Sequence, residues 1–83
     1  MLKVKLTARA KKELKQISNK HQIAFGQIFE DLKEDPYLGK KLVKELKGRF
    51  SYRVGIYRII YKVSKKDKIV FILSAGHRST VYK

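Results

Sequence analysis

Hydrophobic and polar positions follow two rhythms along this chain. From Leu2 to Leu6 the stretch LKVKL alternates apolar and basic residues, the period-two pattern of a short strand. Thr7 follows as a helix cap, because its side-chain oxygen can accept from a backbone N–H of the first turn. Ala10, Leu14 and Ile17 then recur at helical spacing, until SNKHQ breaks the pattern. A second helix is predicted from His21 to about Glu34, with Ala24, Phe25, Ile28, Phe29 and Leu32 on one stripe. Asp35-Pro36 ends it, since proline steers the residue before it away from helical dihedrals. The short break makes the two helices an antiparallel hairpin. Pro36 to Gly48 reads as a connector with room for one helical turn. Leu38, Leu42 and Leu46 anchor it to the core, and Lys40, Lys41, Lys44 and Lys47 lie in solvent.

After Gly48 the period changes to two. Strands are predicted at Arg49 to Val54, Tyr57 to Val63 and Lys68 to Ala75. Gly55-Ile56 is a two-residue connection with glycine first, which suits a type II′ hairpin turn. That turn sets the register: Val54 faces Tyr57, Arg53 faces Arg58, and so on to Arg49 and Lys62. Phe50, Tyr52, Val54, Tyr57, Ile59 and Tyr61 then share a core face. Arg49, Ser51, Arg53, Arg58, Ile60 and Lys62 share the other. Pairing around SKKDK puts Ile69, Phe71, Leu73 and Ala75 on the core face of the last strand. Val70, Ile72 and Ser74 fall on the basic face, where Val70 and Ile72 join Ile60 as an apolar floor. The expected fold class is α+β: an N-terminal strand, an α-helical hairpin and a three-stranded antiparallel meander. Together they form a small, mainly antiparallel sheet covered on one face by two helices.

Length bounds the chain to one domain, since 83 residues with 43% hydrophobic positions supply a single modest core. There is no cysteine, hence no disulfide framework and no thiolate zinc site, which agrees with a reducing compartment. No apolar run is long enough to span a bilayer, and the charged start MLKVKLTARAKKEL has no signal-peptide pattern. A cytoplasmic protein without a membrane partner is expected. The charge changes the picture most: 21 Lys and Arg stand against 7 Asp and Glu, a net +14. Such an excess costs stability by self-repulsion and favours a polyanionic partner, nucleic acid first and an acidic protein second.

The register then singles out chemistry. Arg53 and Arg58 face each other, and continued alternation past Gly76 brings Arg78 to their side, with His77 and Tyr82 close in sequence. Like charges placed opposite each other repel, and an anion between them relieves this. Guanidinium forks bind phosphate oxygens bidentately, and a tyrosine beside them can stack on a base. Arg49 and Lys62 extend the basic face as RNA contacts. The structural alternative is a set of arginines merely solvated on an open sheet. His77 can act as acid or base near neutral pH, although strand parity points it away from Arg78. Asp31, Glu34 and Asp35 read as charge balance at a helix end, so no metal and no cofactor are expected.

ELKGRFSYRVGIYRIIYKV followed by SAGHRSTVYK resembles the RelE/ParE toxin superfamily over nearly the whole chain. The resemblance rests on the L-x-G before the first meander strand, the R-V-G-x-Y-R-I-I-Y core and the G-H-R-x-x-V-Y ending. It implies the toxin of a toxin–antitoxin pair, and the STVYK ending is more similar to the RelE branch, whose members cut messenger RNA in the ribosomal A site. ParE-like members poison DNA gyrase instead. Arg58 matches the arginine of the G-x-Y-R motif, Arg78 the arginine after the last strand and Tyr82 the C-terminal base-stacking tyrosine. Arg53 lies near the basic residues of the preceding strand. Ser51 stands where some RelE toxins carry a second basic residue, so the general base is not assigned. The implied reaction is attack of a ribose 2′-oxygen on the adjacent phosphorus, leaving a 2′,3′-cyclic phosphate and a 5′-hydroxyl. The implied partners are messenger RNA on the ribosome and an acidic antitoxin. A gyrase inhibitor and a non-catalytic basic RNA-binding module are the alternatives.

Overall fold

The structure, a computed structural model, describes residues 2–41 and 48–77, of Val54 and His77 the backbone only. Strand β1 (Lys3–Leu6) leads into helices α1 (Ala8–Lys15) and α2 (Asn19–Glu34). Strands β2 (Lys40–Lys41), β3 (Phe50–Val54), β4 (Tyr57–Ser64) and β5 (Ile69–His77) follow. The strands form one sheet in the order β1-β5-β4-β3-β2. Pairing is antiparallel except between β1 and β5, which run parallel. The α+β expectation holds, with one addition. The start of the connector contributes β2, a two-residue edge strand that was not anticipated, while Leu42, Leu46 and the room for a helical turn lie outside the described residues.

Local chemistry sets the helix boundaries. Thr7 caps α1, its Oγ1 accepting from Ala10 N at 3.1 Å. Asp35 closes α2 with its N–H on Asp31 O at 2.9 Å, and Pro36 follows. Ala10, Phe25 and Leu32 from the helices and Phe50, Ile59, Tyr61, Val70, Ile72 and Ala75 from the sheet form one buried cluster. Leu14, Ile28, Phe29, Tyr52 and Tyr57 pack around it half-buried. One face of the sheet is therefore closed by helices.

The last strand departs from simple alternation. Ile60 pairs with Ser74 but Tyr61 with Ile72, so Leu73 is an extra residue, a β-bulge. The bulge reverses parity toward the start of β5. Val70 and Ile72 are fully buried in the core, while Ile69, Phe71 and Leu73 stand outside it, opposite to the expected assignment. Ser74 and Ala75, beyond the bulge, keep the faces predicted for them. The apolar floor beside the arginines consequently retains Ile60 but loses Val70 and Ile72.

Thr7 holds this irregularity in place. Its N–H donates to Ile72 O at 3.0 Å and its hydroxyl to Leu73 O at 3.2 Å. Beyond the end of β1, Glu13 on α1 takes over the edge of β5, accepting from Ser74 Oγ at 2.9 Å and Ala75 N at 3.4 Å.

Candidate functional site

The β3–β4 hairpin turns on Gly55, whose φ of +61° lies where glycine alone is unstrained, while Ile56 keeps a negative φ. Positive φ at the first central residue only is the mark of the type II′ turn. The register is the anticipated one: Val54 with Tyr57, Arg53 with Arg58, Tyr52 with Ile59, Ser51 with Ile60 and Phe50 with Tyr61. In a two-residue hairpin the pair next to the turn is hydrogen-bonded, so Arg53 and Arg58 occupy the closer, non-hydrogen-bonded kind of site, with Cα atoms about 4.5 Å apart. Arg53 is exposed; Arg58, inside the sheet, is half-buried with its Nε shielded from solvent.

A second row crosses the same face. Lys40 pairs with Ser51, Ser51 with Ile60 and Ile60 with Ser74. Ser51, Ile60 and Ser74 are buried at 8%, 5% and 4% exposure, so the middle of this row is a closed floor. Between the two rows lies an open pocket of about 470 Å³ lined by Leu38, Gly39, Lys40, Ser51, Tyr52, Arg53 and Arg58. Among the described residues of its wall are three cations, Lys40, Arg53 and Arg58.

One buried hydroxyl fastens that wall. Tyr61 Oη donates to Pro36 O at 2.9 Å and accepts from Gly39 N at 2.8 Å. The approach is close enough that a Cβ on Gly39 would lie 2.6 Å from Tyr61 Oη and 2.9 Å from Ser51 O. Burial pushes the Tyr61 phenol above its ordinary value; the Gly39 N–H opposes this, and the charges of Asp35 and Tyr52 add to the rise. The phenol stays protonated and able to make both bonds. The Phe50 ring stacks on Tyr61 with centroids 5.3 Å apart and fixes its rotamer.

Among the residues anticipated for the site, Arg53 and Arg58 come together. Arg49 is exposed just before β3. Lys62 is exposed opposite Phe71, four residues and about 13 Å along the strand from Arg58. The backbone of His77 pairs with Tyr57, and its side chain is outside the described residues, as are Arg78 and Tyr82. His21, given no role from sequence, packs on Tyr57 with ring centroids 4.7 Å apart and bonds Ser18 Oγ through Nδ1 at 2.8 Å. Sequence reasoning missed Lys40 and the Tyr61 clasp. A two-residue strand has no periodicity to announce it, and Leu38, expected to anchor the connector, is instead exposed. The only available signal was Gly39, placed where a close backbone approach is required.

Chemically, the pocket can bind an anion and stabilise growing negative charge on it, because guanidinium groups stay protonated throughout the working range of pH. For the same reason its arginines are unsuited to removing a proton.

Comparison with known proteins agrees with this fold. Residues 4–82 match the family described as ParE toxin of type II toxin-antitoxin system, parDE. The toxin RelG of Mycobacterium tuberculosis is 34% identical over 82 residues, 96% of this chain and 94% of the relative. A chain in the crystal structure of the toxin–antitoxin complex RelBE2 from Mycobacterium tuberculosis superposes with a TM-score of 0.87 at 33% identity, covering 93% of this chain and 98% of that one. A chain of the archaeal RelE–RelB complex from Pyrococcus horikoshii OT3 superposes with a TM-score of 0.77 at 26% identity, covering 95% and 97%. The chain belongs to the RelE/ParE superfamily, the toxins of type II toxin–antitoxin systems.

Proposed function

We propose that this toxin is an endoribonuclease that cleaves messenger RNA held on the ribosome. The observation that carries the reading is the Arg53–Arg58 pair, set directly opposite on the sheet face away from the core, beside a pocket that Lys40 also lines. Like charges directly opposite each other repel, and a phosphodiester bound by both guanidinium groups turns that repulsion into binding. In the proposed reaction the ribose 2′-oxygen bonds to the adjacent phosphorus as its proton passes to a base. The P–O5′ bond breaks, and the leaving 5′-oxygen takes up a proton. The products are a 2′,3′-cyclic phosphate and a 5′-hydroxyl. Arg58 and Arg53 stabilise charge on the phosphorane, with Arg78 beside them in this reading, and Tyr82 stacks on a base. Arg49 and Lys62 guide the strand electrostatically, and His77 is the residue with a suitable ordinary pKa for proton transfer. The ribosome supplies the alignment of the 2′-hydroxyl that so shallow a site lacks.

The proposed protein partner is an acidic antitoxin that covers the arginines and the pocket beside them. The net charge of +14 supports it, as does the likeness to toxins solved in complexes with RelB proteins. Primer extension on programmed ribosomes tests the nuclease. New 5′-hydroxyl ends should appear with the wild type and fall on the order of 10²-fold with Arg58→Ala or Arg78→Ala. Undiminished cleavage by both variants overturns the assignment. The match to the ParE family favours a second reading, inhibition of DNA gyrase. Loss of supercoiling activity without new RNA ends would establish it, and RNA binding with neither effect would indicate a non-catalytic module.

A further inference from the structure

Among the described residues, the pocket wall holds one cation besides the Arg53–Arg58 pair. Lys40 sits on the edge strand in register with Ser51, across the pocket from the arginines. Two strand spacings, about 10 Å, separate it from the line of Arg58, so it approaches a bound strand from the far side. Lys40 has no carboxylate partner among the ion pairs of the described residues.

Its position is built. The segment leading to Lys40 is held through the Pro36 carbonyl and the Gly39 N–H, both bonded to the fully buried Tyr61 hydroxyl. Gly39 permits that contact because a Cβ there would collide with Tyr61 Oη and Ser51 O. A surface lysine that served only solubility would need neither the clasp nor the glycine. Leu38, 45% exposed in the same wall, gives the pocket an apolar shoulder.

We infer that Lys40 is a substrate-positioning residue, clasped in place by Tyr61, that holds the RNA strand through a phosphate neighbouring the one between Arg53 and Arg58. The inference rests on the RNA-cleaving reading and adds to it a second phosphate contact on the opposite wall. Lysine suits this role, since a point charge on a flexible stem follows a phosphate without demanding its orientation.

The test is equilibrium binding of a fluorescently labelled, 2′-deoxy-substituted hexanucleotide RNA to the full chain at several salt concentrations. Each lost phosphate contact on a single strand lowers the slope of log K against log salt by about 0.7. Lys40→Gln should lower the slope by that amount and weaken binding about threefold to tenfold at 0.1 M salt. Lys40→Arg should restore both, and Lys20→Gln, on exposed α2 surface, should change neither. Tyr61→Phe should weaken binding in the wild type but add nothing in the Lys40→Gln background, because both variants remove the same contact. A slope unchanged by Lys40→Gln but lowered by Arg58→Gln overturns the inference while leaving the parent reading intact. Lys40-dependent binding with no cleavage on ribosomes overturns the nuclease and leaves Lys40 standing as an RNA-phosphate contact alone. A wild type that binds no RNA overturns both.

Discussion

The hydroxyl of Thr7 lies 3.2 Å from the carbonyl oxygen of Leu73, the extra residue of the β5 bulge, while accepting from Ala10 N. One side chain thus ends β1, starts α1 and pins the bulge. Its single proton goes to Leu73 and a lone pair serves the helix, so all three functions are compatible.

Thr7→Ala removes both bonds. The loss of the cap costs about 1 kcal/mol, and the orphaned Leu73 carbonyl adds to it, for a total of about 1–2 kcal/mol. Thr7→Ser keeps the oxygen and should retain most of this stability. Urea unfolding measures the difference as a lower midpoint at unchanged slope. An unaltered midpoint for Thr7→Ala would mean that the bulge is held by other contacts.

The bulge also makes a prediction that simple alternation reverses. Ile72 is fully buried and Phe71 is not part of the core cluster. Ile72→Ala should therefore cost about 2–5 kcal/mol, and Phe71→Ala distinctly less despite deleting the larger side chain. The opposite ranking in thermal or denaturant unfolding would restore uninterrupted alternation in β5.

The difference between these two residues shows what was legible beforehand. The β3–β4 register could be read because Arg49, Ser51 and Arg53 alternate with aromatic and branched residues, so a one-residue slip would bury charge. VFIL in β5 is apolar at every position, and a strand with two apolar faces gives no sign that a residue has been inserted. The helices announced themselves through Thr7, the Phe25–Leu32 stripe and Asp35-Pro36. Within the site, Arg53 and Arg58 followed from the turn, whereas Lys40 depends on a tertiary hydrogen bond that Gly39 N donates to Tyr61 Oη, 22 residues away, which no local pattern encodes.

The two turns of the meander differ in backbone strain. Gly55 uses its positive φ freely, so Gly55→Val should destabilise by at least about 1–2 kcal/mol, since a β-branched residue is poorly accommodated there. Lys68, in the β4–β5 turn, has φ of 56° without being glycine. Lys68→Gly should relieve that strain and raise stability by up to about 1 kcal/mol, the greater freedom of glycine in the unfolded chain offsetting part of the gain. Melting temperatures moving in opposite directions for the two variants check both statements.

Tyr61 links the clasp to alkaline pH. Its phenol pKa is raised in the folded chain, chiefly by burial, above the unfolded value near 10. The folded state therefore holds this proton more tightly. The associated stability is fully present below pH 10 and is lost as pH rises through the folded pKa. Relative to Tyr61→Phe, the wild type should lose stability above pH 10, while near neutrality the variant is the weaker by about 1–3 kcal/mol, with Gly39 N and Pro36 O left unpaired. Unfolding of both proteins from pH 7 to 11 measures this, and parallel curves would place the hydroxyl in contact with solvent.

Arg53 offers the sharpest separation of stability from function. It is exposed on β3, directly across from Arg58, in the closer type of cross-strand site. Threonine there keeps strand propensity and removes the repulsion, so Arg53→Thr should raise stability by a few tenths to about 1 kcal/mol. The same change withdraws one guanidinium from the proposed phosphorane site and should cut cleavage on ribosomes on the order of 10²-fold. Arg53→Lys tests geometry apart from charge: it restores the repulsion but not the bidentate fork, and should recover only part of the activity. Inorganic phosphate should stabilise the wild type against heat more than Arg53→Thr, because ligand bound to the native state adds stability according to its affinity. A variant both less stable and fully active would show that the arginine pair serves the fold and leave the anion to another part of the surface.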